Sequence, residues 1–404
     1  MKINVTRQPL LDRHFKAYGY ELLYQSDLHK HCSRSNCEKA TAAVIVNNIL
    51  RMDIDTVARG KRAFIKFSKH LLTQGAALLL PNSDLVVGIS IREVVDQATI
   101  NACAMLRLQG YQLSLEDFSF HDRSQALLEL ADIIKIDYSN TKPEELRDLI
   151  NVVKRNNKKV IVKNIETRQA YRQSFEFNSD FFQGFFICEP EIVSGKDIPE
   201  NKLHYLKMLN EVYKEEIDFT NLELMIKQDP ALSYKLLKHI NTVGCSSRIP
   251  IHSIRQAITM LGQNKLVQWA SLVSLRHSSF NQPGELIVIA ITRAYFCENL
   301  SMHTCNNKHS EDLFLAGLFS LLDVFLGRSM ESILEELPLA KNIKELLLGK
   351  ENILSPYLRL VLAHERADWQ EVKTITAALG INENELLNAY LTSLKQADLI
   401  TAQF

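Results

Sequence analysis

The chain has 404 residues, 46% of them hydrophobic, a composition that suits ordinary globular domains and is long enough for two. Forty-seven basic side chains balance 47 acidic ones, so net charge supports no generic attraction to nucleic acid or to a membrane surface, a local patch apart. No uninterrupted apolar stretch reaches membrane-spanning length, the opening MKINVTRQPLLDRHF lacks a signal-peptide core, and the seven scattered cysteines suit reduced thiols in a cytoplasmic protein.

The first predicted strand is Ala17–Leu23. His29, His31, Cys32 and Cys37 follow within nine residues, but no second ligand pair stands at zinc spacing, so a solvated helix–loop segment is favoured over a metal site. Ala40–Met52 has a helical pattern, with Ala43, Val46 and Leu50 on one face. Strands are expected at Ala63–Phe67 and Leu85–Ile89, then a helix over Val94–Gln109 that Gly110 ends. Tyr111–Leu115 and Ile133–Ile136 are the next strands. Lys142-Pro143-Glu144-Glu145 opens a helix whose Leu146, Leu149, Ile150 and Val153 form one stripe, and Val160–Val162 returns as a strand. Alternating strands and helices predict parallel strands with crossover helices, either a barrel or a doubly wound sheet.

Polar residues stand where these strands end. They are Glu21, Lys66, Glu116 and Asp117, Lys135 and Asp137, Lys163 and Glu166, and Gln183. In a barrel such ends converge on one mouth, where chemistry is usually built.

Several motifs carry a resemblance. Arg7-Gln8-Pro9-Leu10-Leu11-Asp12 with Tyr18-Gly19-Tyr20-Glu21-Leu22-Leu23-Tyr24 resembles the opening of EAL domains, which hydrolyse or bind cyclic di-GMP. Leu115-Glu116-Asp117-Phe118 is similar to their paired-aspartate motif, and Ile134-Lys135-Ile136-Asp137 to their lysine strand. Lys163-Asn164-Ile165-Glu166-Thr167 resembles the late double-glutamate loop, and Gln183-Gly184 the terminal glutamine. The resemblance implies a modified TIM barrel over 1–195 and a metal-assisted phosphodiesterase site in active members.

On that resemblance Glu21, Asp117, Lys135, Glu166 and Gln183 match site residues, whereas other positions depart. Lys66 stands for an asparagine, Gly88 for a metal-binding glutamate, Glu116 for an aspartate, Lys163 for a glutamate, and Gln25 for an arginine. The exchanges at 66, 88 and 163 make the mouth about four charge units more positive, which opposes cation binding. No catalytic residue, metal or cofactor is therefore expected, with Mg or Mn required only if the site is active. Three outcomes remain open: an ion-pair lattice joining Glu21, Asp117 and Glu166 to Lys66, Lys135 and Lys163, metal-free binding of the dinucleotide, or residual metal-dependent hydrolysis.

Beyond Cys188-Glu189-Pro190 the strand signals stop and 196–404 is expected to be all helical. Asp229-Pro230 starts a helix carrying Leu232, Leu236, Leu237 and Ile240. Ser253 caps the next, with Ile254, Ala257, Ile258 and Leu261 on one face and Gly262 at its end. Leu313–Leu326 is apolar on nearly every side and is expected to be the central helix of a bundle. Gln228-Asp229-Pro230-Ala231-Leu232 through Asn241, then Ile254-Arg255-Gln256-Ala257-Ile258 and Leu261-Gly262, resembles the HDOD domain, a relative of the HD phosphohydrolases without their metal site. At the position of the adjacent histidine and aspartate of those enzymes stand Ser320 and Leu321, and His303, His309 and Asp323 are expected to be surface or cap residues. The order EAL then HDOD resembles bacterial EAL–HDOD signalling proteins. It implies a regulator working through signalling-protein partners, with cyclic di-GMP as a further candidate ligand and homo-oligomerisation left open. Trp369, in His364-Glu365-Arg366-Ala367-Asp368-Trp369, is the candidate interface anchor, set against a partly buried core role.

Overall fold

A computed structural model describes residues 3–26, 54–90, 96–118, 125–190, 207–214, 216–228, 230–242, 253–278, 283–304, 307–337 and 339–403. His29, His31, Cys32, Cys37, the Ala40–Met52 segment, Val94 and Asp229 lie outside these residues. Two compact units are present, the first comprising Met1–Glu189 with Ala363–Thr374 and Asn382–Leu387, the second the rest.

The first unit contains a closed eight-stranded barrel: β1 (Ile3–Asp12), β2 (Ala17–Ser26), β3 (Arg62–Phe67), β4 (Leu85–Ser90), β5 (Gln112–Glu116), β6 (Ile133–Asp137), β7 (Lys159–Lys163) and β8 (Phe181–Phe182). β1 runs antiparallel to both β2 and β8, while β2 through β8 pair in parallel. The sequence pattern missed β1. Its run Thr6-Arg7-Gln8-Pro9 is polar and carries a proline, yet closure leaves no edge and makes the strand the seam of the barrel.

Strand parity sorts the interior into layers, because alternate side chains share a face. Leu10, Phe64, Val86, Ile133, Ile161 and Phe181 form an apolar floor. Two residues further along the parallel strands the same inward face carries Lys66, Gly88, Lys135, Lys163 and Gln183. β1 runs the other way, so two residues before Leu10 it brings Gln8 to that level, opposite Glu21. The mouth is thus a polar layer resting on an apolar one.

Helices cover the outside. Gln97–Leu108 starts on Asp96, whose carboxylate accepts from Thr99 N, and Gly110 beyond it has φ 85°. Pro143–Arg155 begins with proline and two acids and buries Leu146, Leu149, Ile150 and Val153 as expected.

In the second unit every described element longer than a turn is helical. Pro230–Thr242, Ile254–Ser278 and Phe219–Gln228 share a core in which Leu232, Leu236, Ala257, Ile258 and Trp269 are buried. Gly262 ends the first of two helices as expected, with φ 71° and ψ 166°, and a second helix runs from it to Ser278. The expected central helix Leu313–Leu326 is likewise two pieces, Ser310–Phe319 and Leu322–Leu326. Ser320 Oγ donates to Gly317 O at 2.8 Å, a local bond that competes with continuation of the helix. Gly317 packs so tightly on Gly284–Met302 that a Cβ there would stand 2.6 Å from Arg293 O. No helix among the described residues is long and apolar enough to cross a membrane.

Candidate functional site

Five charged side chains meet at the barrel mouth. Lys135 is fully buried on β6, and its Nζ lies 2.7 Å from Glu21 Oε1 and 3.0 Å from Glu116 Oε1. Lys163, at the end of β7, lies 2.7 Å from Asp117 Oδ1 and 3.5 Å from Glu116 Oε2. Asp117 has φ 57°, a left-handed turn in which aspartate is tolerated. Neighbours in a straight strand point to opposite faces, so this turn is what lets Glu116 and Asp117 both face the Lys163 ammonium.

Gln183 completes the cluster. Its Nε2 donates to Glu21 Oε2 at 2.5 Å and to Gln8 Oε1 at 3.1 Å. Gln8, which belongs to the opening motif but is not among the expected site residues, in turn donates to Glu365 O at 3.2 Å. Asp137 points to the neighbouring loop, accepting from Ser139 N and Oγ, Asn140 Nδ2 and Asn164 Nδ2.

The lattice differs from the expected membership. Lys66 and Glu166 are exposed, and among the described residues neither side chain joins it. Glu166 lies in the loop beyond β7, clear of the strand parity that turns Lys163 inward, and Tyr24 Oη donates to the backbone oxygen of Lys66 at 2.7 Å. Glu116 takes the place left to them. Its longer side chain reaches over Gly88, where a Cβ would stand 3.4 Å from Glu116 Oε1. Gln25 lies in β2 opposite Asn4.

Electrostatics keep the lysines charged. Burial alone lowers their pKa values, but Glu116 and Glu21 hold Lys135 above its ordinary value, and Glu116 and Asp117 do the same for Lys163. Burial raises the Glu21 carboxyl, yet the Lys135 charge and the hydrogen bonds from Lys135 and Gln183 leave it below its ordinary value. Burial pushes Glu116 up, and the Glu21 charge adds to that rise. Asp137 is held low: its hydrogen bonds outweigh its desolvation.

A catalytic pair of divalent cations needs several oxygen donors that converge with lone pairs to spare. Here both Glu21 oxygens, both Glu116 oxygens and Asp117 Oδ1 face N–H donors. The donor set as arranged does not fit a metal pair, and no group of three or more His, Cys, Asp or Glu among the described residues is disposed to hold a metal ion.

In the second unit Ser320 Oγ accepts from Arg293 Nη1 at 3.1 Å, and Leu321 is buried. His303 stands at the C-cap of Gly284–Met302 and His309 at the N-cap of Ser310–Phe319, where it faces Asp312 at 3.5 Å. Asp323 opens Leu322–Leu326 and accepts from Val324 N. In the first unit Trp369 is half-buried, edge-on to His364 with ring centroids 5.5 Å apart.

The EAL domain model matches residues 45–190, and the HDOD domain model matches 198–345. YuxH, an uncharacterized protein of Bacillus subtilis (strain 168), is 31% identical over 403 residues, a match covering 98% of each chain. The cyclic di-GMP phosphodiesterase CdgJ of Vibrio cholerae serotype O1 is 32% identical over 381 residues, covering 94% of this chain and 88% of its own. Among solved structures, a PaMucR phosphodiesterase in complex with c-di-GMP is 16% identical, with a TM-score of 0.40, covering 46% of this chain and 95% of its own. Glu21 and Gln8 lie before the matched EAL span, and Trp369 beyond the matched HDOD span.

Proposed function

The chain belongs to the family of EAL–HDOD proteins related to cyclic di-GMP signalling, and we propose that it is a cytoplasmic signal-transduction regulator whose barrel does not hydrolyse the dinucleotide. One observation carries this reading: the Lys163 ammonium occupies the paired acids, 2.7 Å from Asp117 and 3.5 Å from Glu116. A cation replacing it must displace a charge already matched to both carboxylates, and the exchange at Gly88 supplies no further oxygen. Residues 1–195 serve as the control barrel and 196–404 as the partner-binding half, whose packed helices supply a scaffold and no ligand set.

A second reading draws on the Vibrio relative, which is named a cyclic di-GMP phosphodiesterase. Under it this chain retains weak or altered metal-dependent hydrolysis. A third draws on Lys66, whose exposed ammonium at the mouth suits a phosphate and would make the barrel a non-hydrolysing receptor.

Calorimetric titration with cyclic di-GMP, without metal and with Mg or Mn, together with product analysis separates the three. A regulator without turnover gives no linear dinucleotide under any condition. Heat without metal and without product identifies the receptor. Metal-dependent product identifies the enzyme and overturns the proposal.

A further inference from the structure

A chain of side-chain hydrogen bonds leaves the ionic cluster and ends on the backbone of a distant stretch of sequence. It runs from Lys135 Nζ to Glu21 Oε1, from Gln183 Nε2 to Glu21 Oε2 and to Gln8 Oε1, and from Gln8 Nε2 to Glu365 O. Glu365 lies in Ala363–Thr374, which belongs to the same compact unit as the barrel. Beside this path Arg366 lies over the Phe185 ring at 5.6 Å, and Phe185 follows Gln183 by two residues.

Gln183 is built to respond to Glu21. It is 4% exposed, and its Oε1 is buried with no hydrogen-bond partner among the described residues. The amide is therefore held through its NH2 end alone, by one charged acceptor and one neutral one. The charged acceptor is the stronger of the two. When Glu21 turns away or loses its charge, Gln183 loses its principal anchor. Gln8 then loses the partner that orients its own amide.

We propose that Gln183 and Gln8 form a relay by which the charge state and position of Glu21 set the order of the backbone at Glu365–Trp369. Any ligand that draws Glu21 or Lys135 away from the other, whether an anion taken up by the ammonium or a cation taken up by the carboxylate, loosens that backbone. This goes beyond the proposed function and does not rest on it, since the relay operates whether or not the barrel turns over a substrate.

The reporter amides are Ala367 N, which donates to His364 O, and Asp368 N, which donates to Ala363 O. Hydrogen exchange of the full chain, followed by mass spectrometry, reads both. Glu21→Gln is the informative variant: its amide has one oxygen, which the buried Lys135 ammonium claims, so Gln183 is left without an acceptor there. Exchange at these two amides is expected to rise about fivefold, the change in local opening for one net hydrogen bond. Gln8→Met should raise it equally, and the double variant should exceed neither single one. Asp117→Asn perturbs the same cluster through Lys163, off the path, and should leave both amides near the wild-type rate. The relay is overturned if Glu21→Gln leaves exchange unchanged, or if Asp117→Asn accelerates it as much. If Glu21→Gln fails to fold, Gln183→Met takes its place with the same expectation, and unchanged exchange in it overturns the relay. Turnover assayed on the same wild-type sample would refute the proposed function alone and leave these comparisons standing.

Discussion

Lys135→Met removes the cation that the buried carboxylates of Glu21 and Glu116 share. At an effective dielectric of about 20, charges separated as Lys135 is from Glu21 and Glu116, 2.7 Å and 3.0 Å, attract by about 6 kcal/mol each. Desolvation of the ions offsets most of this, so the pairs contribute little relative to an apolar core. Removing only the lysine is different, because both carboxylates then stay buried with weaker compensation, Glu21 from the Gln183 amide and Glu116 from Lys163 at 3.5 Å. Lys135 is 0% exposed and Glu116 2%, which leaves little solvent screening, and the expected loss is about 3–5 kcal/mol at pH 7. The sign of its pH dependence follows from the same contacts. In the wild type Glu21 is held below its ordinary value, so its contribution is present at neutral pH and is lost on acidification. Without Lys135, burial and mutual repulsion raise both carboxyls. They take up protons as pH falls through the carboxylate range, and the deficit of the variant shrinks. Urea-dependent hydrogen exchange of β6 and β7 measures barrel stability without interference from the helical unit. Glu116→Gln in the Lys135→Met background should recover part of the loss. A deficit below about 1 kcal/mol at pH 7, or one that grows on acidification, would refute the ion-pair account of the mouth.

Three further outcomes follow. The variant Lys66→Asn, Gly88→Glu, Glu116→Asp, Lys163→Glu should bind Mn measurably by calorimetry. No measurable binding by that variant would mean that the mouth rejects the cation for a reason other than its charge. Gly317→Ala forces a Cβ to within 2.6 Å of Arg293 O and should cost about 1–3 kcal/mol, read as a lowered thermal midpoint; an unchanged midpoint would mean the two helices can part freely. Buried His364 has its pKa lowered by desolvation to about 3, so the unfolded chain binds the extra proton and stability falls as pH drops below about 6.5, by about 1.4 kcal/mol per pH unit until pH 3. His364→Phe should flatten the dependence of stability on pH in that window, and an unaltered slope would show that the imidazole is protonated in the fold.

The sequence made the parallel strands of the barrel legible where an apolar residue is followed two positions on by a polar one. Ile133 to Lys135 and Ile161 to Lys163 are the clearest cases, each placing floor and mouth on one strand face. β1 was not legible, because Thr6, Arg7, Gln8 and Pro9 interrupt its apolar pattern and its role depends on antiparallel closure against two distant strands. For the same reason Gln8, though part of the opening motif, was not legible as a site residue; the register opposite Glu21 brings it there. Candidate site residues were recognisable by type, but their pairing was not. Glu166 and Lys66 carry suitable charges, yet pairing is decided by side-chain direction at the strand ends, and by the left-handed turn at Asp117. In the helical unit, uniform apolarity across 313–326 hid the break at Ser320, since a buried helix shows no periodicity by which to find its ends.

The central claim is that the barrel mouth is neutralised from within by Lys135 and Lys163 and does not hydrolyse cyclic di-GMP. Chromatographic detection of the linear dinucleotide, with protein in excess over cyclic di-GMP and Mg or Mn present, tests it most directly. The account predicts no product above the protein-free control. Product that requires the metal and disappears in Glu21→Ala would contradict it.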